Sequence, residues 1–298
     1  MHVFITGATG WIGSAAVSEL LAAGNEVTGL ARSDASASAL RDKGARVRRG
    51  DLDDLGGIRA GAADADAVVH LANKHDFANP AVNNRAERGA VQAIGEALAG
   101  SHRPFVLASG LAFLTPGRAA TEQDPSPFHG IDSMRGGGEN LALEFVERGV
   151  NTVVVRFAPT VHGDGDPGFM SGLVAAARAQ GVSAYIGEGA NRWAAVHRGD
   201  AGRLVRLALE EKAPAGSVLH AAAETGVPTR DIAEAIGRGL GLPVTSVPAD
   251  GAGAHFGWLN KFYGADMAAD SDVTGALLGW TPGGPTLAED LDSGCYYR

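Results

Sequence analysis

Strand-like runs punctuate the first half of the chain at residues 2–6, 26–31, 45–49, the end of 64–72, 104–109 and 151–157. Most are continuously apolar, which is what a strand buried on both faces needs. Between them the pattern changes to a helical spacing over 11–23, 34–43, 81–99 and 133–148. In the third of these, Val82, Ala86, Ala90, Ile94 and Leu98 mark one face. This alternation predicts an α/β fold: a parallel sheet covered by helices on both sides. After Pro159 the pattern loosens, with helices expected at 169–180, 199–211, 229–239 and 270–278. The expected division is a first domain of residues 1–158, with 195–212 returning to it, and a smaller α/β lobe of residues 159–298.

The first strand–helix junction reads FITGATGWIG, residues 4–13. Three glycines at three-residue spacing have distinct uses there. Gly7 permits the tight turn, Gly10 lets a pyrophosphate approach the backbone, and Gly13 lets the helix lie close to the sheet. Free amides at the helix start, at its positive dipole end, hold the phosphates. The triplet follows a strand and opens a helix, which is the context that gives it meaning.

Composition narrows the classes. The chain has 298 residues, is 45% hydrophobic and carries a formal net charge of -9, so no basic nucleic-acid footprint is present. A single cysteine, Cys295, excludes an intramolecular disulfide and a thiolate zinc cluster, and no metal site is expected. No apolar run reaches transmembrane length. The first strand begins at Met1 or His2, which leaves no stretch for a signal peptide. A soluble cytoplasmic protein is expected, with a small-molecule substrate and at most a second copy of itself as partners, and with neither nucleic acid nor membrane. No Gly-x-Ser-x-Gly elbow or His-Glu-x-x-His pair occurs.

Further stretches follow in order: GDLDD at 50–54, VVHLAN at 68–73, VVVRFAPTVHGDGD at 153–166, AVHRGDAGRLVRLALE at 195–210 and LLGWTP at 277–282. Together with TGATGWIG they resemble the extended and atypical short-chain dehydrogenase/reductase superfamily, of the epimerase/dehydratase-like kind. The resemblance implies a Rossmann-type doubly wound sheet with a smaller C-terminal substrate lobe. It implies a nicotinamide dinucleotide contacted by Gly7, Thr9, Gly10, Trp11, Ile12 and Gly13, and by Asp51 and Leu52 at the adenine. Ala72 and Asn73 would run beside the cofactor, with Pro159 and His162 near the nicotinamide. Ala31 stands where an NAD-binding relative places an acid for the ribose 2′-hydroxyl. Arg32 and Ser33 follow, and a guanidinium suits a 2′-phosphate, so NADP(H) is favoured over NAD(H). Asp34 is the competing feature, since its carboxylate could turn back to the ribose.

The family's Tyr-x-x-x-Lys pair is missing. Anchored on Glu139, the resemblance puts Ile131 at the tyrosine position and Arg135 at the lysine position. Arg135 can hold a ribose but stays charged. The family's serine position falls on Gly110, with Ser109 one residue earlier and expected to face the other way. All four tyrosines, Tyr185, Tyr263, Tyr296 and Tyr297, lie beyond the sixth strand. Substitute proton donors are sought among His75 and Asp76 after the fourth strand, His129 and Asp132 around the vacant position, and His162. The expected catalytic set is Ser109, Arg135, His75 and His129. Trp11 and Trp280 are read as packing residues, and Asp200 as a helix cap rather than a partner of His197. Phe169, Trp193, Phe256, Trp258 and Phe262 line the substrate lobe or form its core. The leading reading is an NADP(H)-dependent oxidoreductase moving hydride between nicotinamide and a carbonyl or alcohol carbon. A non-catalytic NADP sensor is the alternative, and a nucleotide-sugar epimerase or dehydratase the weaker one.

Overall fold

The structure is a computed structural model that describes residues 1–76, 79–210 and 213–298. Its strands are β1 (His2–Thr6), β2 (Glu26–Ala31), β3 (Arg46–Arg49), β4 (Ala67–His70), β5 (Pro104–Gly110), β6 (Asn151–Phe157), β7 (Thr160–His162), β8 (Ser183–Ile186), β9 (Arg192–His197), β10 (Val218–Ala221), β11 (Glu224–Pro228) and β12 (Val244–Val247). Its helices are α1 (Trp11–Ala22), α2 (Asp34–Asp42), α3 (Leu55–Ala63), α4 (Pro80–Leu98), α5 (Gly138–Glu144), α6 (Phe169–Gln180), α7 (Arg198–Leu209), α8 (Thr229–Leu240), α9 (Ala252–Phe256), α10 (Asn260–Tyr263), α11 (Asp272–Leu278) and α12 (Leu287–Asp292).

Seven strands form one parallel sheet in the order β10-β6-β5-β4-β1-β2-β3. The chain order reverses between β1 and β4, so a crevice opens at their carboxyl ends. Alternate strand residues feed two cores. Val3, Ile5, Val69, Val106 and Val155 face the side carrying α1 and α7, while Phe4, Val68, Phe105 and Val154 face the side carrying α3, α4 and α5. Each such side chain, fully buried, contributes about 1.5–3 kcal/mol before entropy is charged against it. The one charged residue in β6, Arg156, is also buried.

The second lobe holds the sheets β11-β9-β7 and β12-β8. Strand β9 joins the lobes by its two faces: Ala194 and Val196 enter the first core, Trp193 and Ala195 the second. Within the stretch 195–212, Ala201, Leu204 and Val205 of α7 pack in the first core, and residues 211–212 lie outside the described residues. Strand β10 also pairs with β6 as the seventh strand, and Leu278 and Trp280 pack in the first core.

Within residues 1–158, two helices differ from expectation. Helix α3 lacks a sequence signal because LGGIRAGAA has two adjacent glycines and few large apolar residues. The helix expected over 133–148 is regular only as α5. Before it, Met134–Gly137 form a single 3₁₀ turn in which Arg135, Gly136 and Gly137 have φ of 54°, 62° and 62°. Ile131 and Arg135 therefore do not share a helix face, and the i,i+4 geometry of the missing pair is not built here.

Candidate active site

The crevice at the β1–β4 boundary starts at the entrance of α1. Gly10 caps this helix with no side-chain hydrogen bond, and the first turn holds no acidic residue. The leading amides are thus left open at the positive end of the helix, and Thr9 and Gly10 are exposed. Gly7 has φ of 70°, and a Cβ there would lie 2.6 Å from the Ala72 nitrogen. A Cβ at Gly13 would overlap the Gly7 carbonyl oxygen. Any other residue at either position would force α1 away from the sheet, and the bare amides at the start of the closely packed helix fit a dinucleotide's phosphates. Trp11 is a strut as well as a neighbour of this cradle. Its indole N–H donates to the Val161 carbonyl at 2.7 Å, and the Arg198 guanidinium lies 4.2 Å over its ring. Ile12 is half-buried against the first core.

At the end of β2, Arg32 is exposed and, among the described residues, makes no hydrogen bond or ion pair. The competing Asp34 is ion-paired to Arg49. Ser33 caps α2 through a reciprocal exchange with Ser36. Asp51 accepts from the amides of Asp53 and Asp54 at 2.9 and 3.2 Å, and Leu52 is buried beside it. Lys74 holds Asp53 at 2.7 Å, which ties the loop after β4 to the loop after β3.

Two buried carboxylates organise the other end of the crevice. Glu87 on α4 receives Arg135 at 2.6 Å and the Asn73 amide at 3.1 Å. The Asn73 side-chain oxygen in turn accepts from the His75 amide at 2.8 Å. His75 is exposed at the surface, yet desolvation of its ring by the surrounding chain and then the Arg135 charge hold its imidazole below the ordinary value. Glu139 on α5 receives the Ser109 hydroxyl at 2.6 Å and Arg156 through three contacts of 2.5–3.2 Å. Arg156 continues to His220 at 3.4 Å, and the His220 amide donates to Thr274, whose hydroxyl donates to buried Glu122 at 2.7 Å. Ser109, Gly110, Ala112, Phe128, Met134, Arg135 and Glu139 line one pocket. Ser109 thus faces the pocket despite the alternation expected of adjacent strand residues. Its proton is directed at a carboxylate, so the oxygen presents lone pairs outward.

Other expected residues lie elsewhere. His129 is exposed on the loop that packs against Gly137. The ring of His162 is fully buried, with Nδ1 2.6 Å from an Asp290 oxygen, so it is turned into the lobe junction and away from the crevice. Burial outweighs Asp290 and pulls the His162 imidazole below its ordinary value. Pro159 stands half-buried between β6 and β7. Asp200 is not the cap of α7. His197 is the cap, and Asp200 clamps the amides of Gly283 and Gly284 at 2.8–3.2 Å. Trp280, as expected, packs in the first core, its indole N–H donating to the Asp200 carbonyl at 3.2 Å. The roles of Glu87 and Arg156 were missed, although a charged residue within the apolar run VVVRF was the visible signal for the second.

The NAD dependent epimerase/dehydratase family matches residues 3–222. An uncharacterised protein of Saccharomyces cerevisiae is 44% identical over 297 residues, covering 98% of both chains. A 2′-dehydrokanamycin reductase of Streptomyces kanamyceticus is 30% identical, covering 85% of this chain and 71% of its own. Among solved structures, MoeE5 in complex with UDP-glucuronic acid and NAD superposes with a TM-score of 0.75 at 25% identity, covering 98% of this chain and 96% of that one. No helix among the described residues is long and apolar enough to cross a membrane. The uncapped glycine entrance, the reversal of strand order above it and the span of the match agree: this chain belongs to the NAD dependent epimerase/dehydratase family, within the short-chain dehydrogenase/reductase fold.

Proposed function

We propose that the protein is an NADP(H)-dependent oxidoreductase that interconverts a carbonyl compound and its alcohol. The observation that carries this reading is the pairing of an uncapped α1 entrance with an uncommitted Arg32, while Asp34 is held by Arg49. The α1 amides would hold the phosphates, and Arg32 the 2′-phosphate through its fork of donors. When bound, the nicotinamide supplies or accepts the hydride. Relatives named as reductases, the dehydrokanamycin enzyme and a ketoreductase of Stigmatella aurantiaca 30% identical over 186 residues, support reduction as the reaction class.

The chain's own polar groups divide the remaining work. Arg135 keeps N–H groups beyond its bond to Glu87, and these would steady the reacting oxygen or the ribose. Ser109, whose hydroxyl donates to Glu139, would accept from a substrate hydroxyl. His75 would exchange the proton with the reacting oxygen. Because its imidazole titrates below the ordinary value, its protonated form, and with it the reductive rate, should fall as pH rises through that lowered value.

The test is oxidation of NADPH followed by absorbance with a panel of ketones and aldehydes. Turnover is expected, and Arg135→Met should lower kcat/KM about 10- to 100-fold, the worth of a charge-assisted hydrogen bond. Unchanged kinetics would remove Arg135 from the site. Tight NADPH binding with no turnover on any carbonyl would favour the sensor reading, for which the commitment of Ser109 and Arg135 to buried carboxylates is the motivating observation.

A further inference from the structure

The crevice carries a second, apolar element beyond its polar end. Phe113, Met134 and Trp258 are 37%, 38% and 48% exposed. Phe113 lies three residues past β5, just after the pocket residue Ala112, and Met134 lines the same pocket as Ser109. From the other lobe, Phe262 sits 5.6 Å from the Phe113 ring, and Phe169 lies 5.0 Å from Phe262 and 5.7 Å from Trp258. Both lobes therefore contribute rings to one continuous shelf. Large exposed apolar side chains in a group, rather than scattered singly, mark a binding surface. Phe113 also holds a φ of 61°, a left-handed conformation costly for a bulky side chain. Such strain persists where the surroundings fix it, and it clusters at ligand sites.

Charge separates the ligand classes. Arg135 is the one cation lining the pocket among the described residues, and Glu87 already neutralises it at 2.6 Å. A sugar nucleotide's diphosphate needs several uncommitted donors to replace its water. A neutral ring system needs only apolar area and a ring face to stack on.

We propose that the substrate of this site is an uncharged carbonyl compound, or the corresponding alcohol, whose flat apolar body lies on the shelf of Phe113, Phe169, Trp258 and Phe262, with Met134 at its inner end. The assignment deepens the oxidoreductase reading and rests on it.

The test is calorimetric titration of protein saturated with NADPH, a form that cannot pass hydride to an alcohol. The probes are 1-phenylethanol, 2-propanol and UDP-glucose. The phenyl compound should bind at least about tenfold tighter than 2-propanol, given the apolar area of one ring. Trp258→Ala removes an exposed side chain, and Phe113→Gly relieves the left-handed strain, so both variants should fold. Each should reduce that preference severalfold. Equal binding of the two alcohols, an unchanged preference in both variants, or tighter binding of UDP-glucose would overturn the proposal. A phenyl preference with no turnover on any carbonyl would retain the shelf and reject the oxidoreductase. Turnover confined to charged or sugar substrates would do the reverse.

Discussion

Gly7, Gly10 and Gly13 stand at three-residue spacing where β1 gives way to α1, and Gly136, Gly137 and Gly138 stand in succession where the chain enters α5. In the first region the glycines let a helix begin against the sheet with its amides bare. In the second they prevent a helix from beginning: Gly136 and Gly137 are left-handed together with Arg135, and α5 is shortened to seven residues. Side-chain room is scarce in both. A Cβ at Gly13 would overlap the Gly7 carbonyl, and one at Gly136 would overlap the Asn84 carbonyl. The same residue type thus leaves helix amides bare at one end of the crevice and keeps a helix from forming at the other. Spacing decides which, because glycines three apart leave helix formers between them while three in a row do not.

The comparison can be broken by filling each set. Gly13→Ala drives a methyl group into the Gly7 backbone carbonyl, which cannot relax as a side-chain tip can. It should cost about 3 kcal/mol or more and reduce dinucleotide affinity, measured by denaturant melts and titration. Normal stability and binding would show that the α1 entrance is looser than described. Gly136→Ala should cost about 1–2 kcal/mol from the left-handed φ alone, with more from the Asn84 contact, and should move Arg135 off Glu87. Cofactor affinity should then change less than kcat/KM, and the opposite split would undo the assignment of the two ends.

The smallest expected effect lies beneath both regions. His70, bonded to Thr6 at 2.7 Å under the first turn, and His220, beside Arg156 under the second, are buried, and burial pulls both imidazoles below the ordinary value. His162 behaves likewise. A depressed folded value means that this stability is fully present above the ordinary histidine value of about 6.5 and is lost as pH falls through the folded values. The Tm should therefore drop between pH 7.5 and 5.5, before carboxylates titrate, and a flat profile would contradict it.

What the sequence disclosed follows the same division. Strands β1, β2, β5 and β6 were legible within a residue, because each carries mostly apolar side chains that are buried over most of its length. The α1 entrance was legible because its glycines sit in a motif with a mechanical reason for every position. The segment before α5 was misread because its apolar spacing resumes beyond the glycines, and periodicity does not register a left-handed turn. Strand β10 escaped because four residues, VLHA, carry too little pattern to be told from a loop. The carboxylates Glu87 and Glu139 escaped as organisers because their partners lie 48 and 17 residues away. Only the folded chain brings Arg135 and Arg156 to them.

Titration of the protein with NADPH and with NADH, repeated on Arg32→Glu, tests the central claim most directly. NADPH should bind about 10- to 100-fold tighter than NADH, and the substitution should erase that difference while leaving NADH affinity nearly unchanged. Equal affinity for the two cofactors in the native chain would contradict the 2′-phosphate assignment, and binding of neither would contradict the cradle itself.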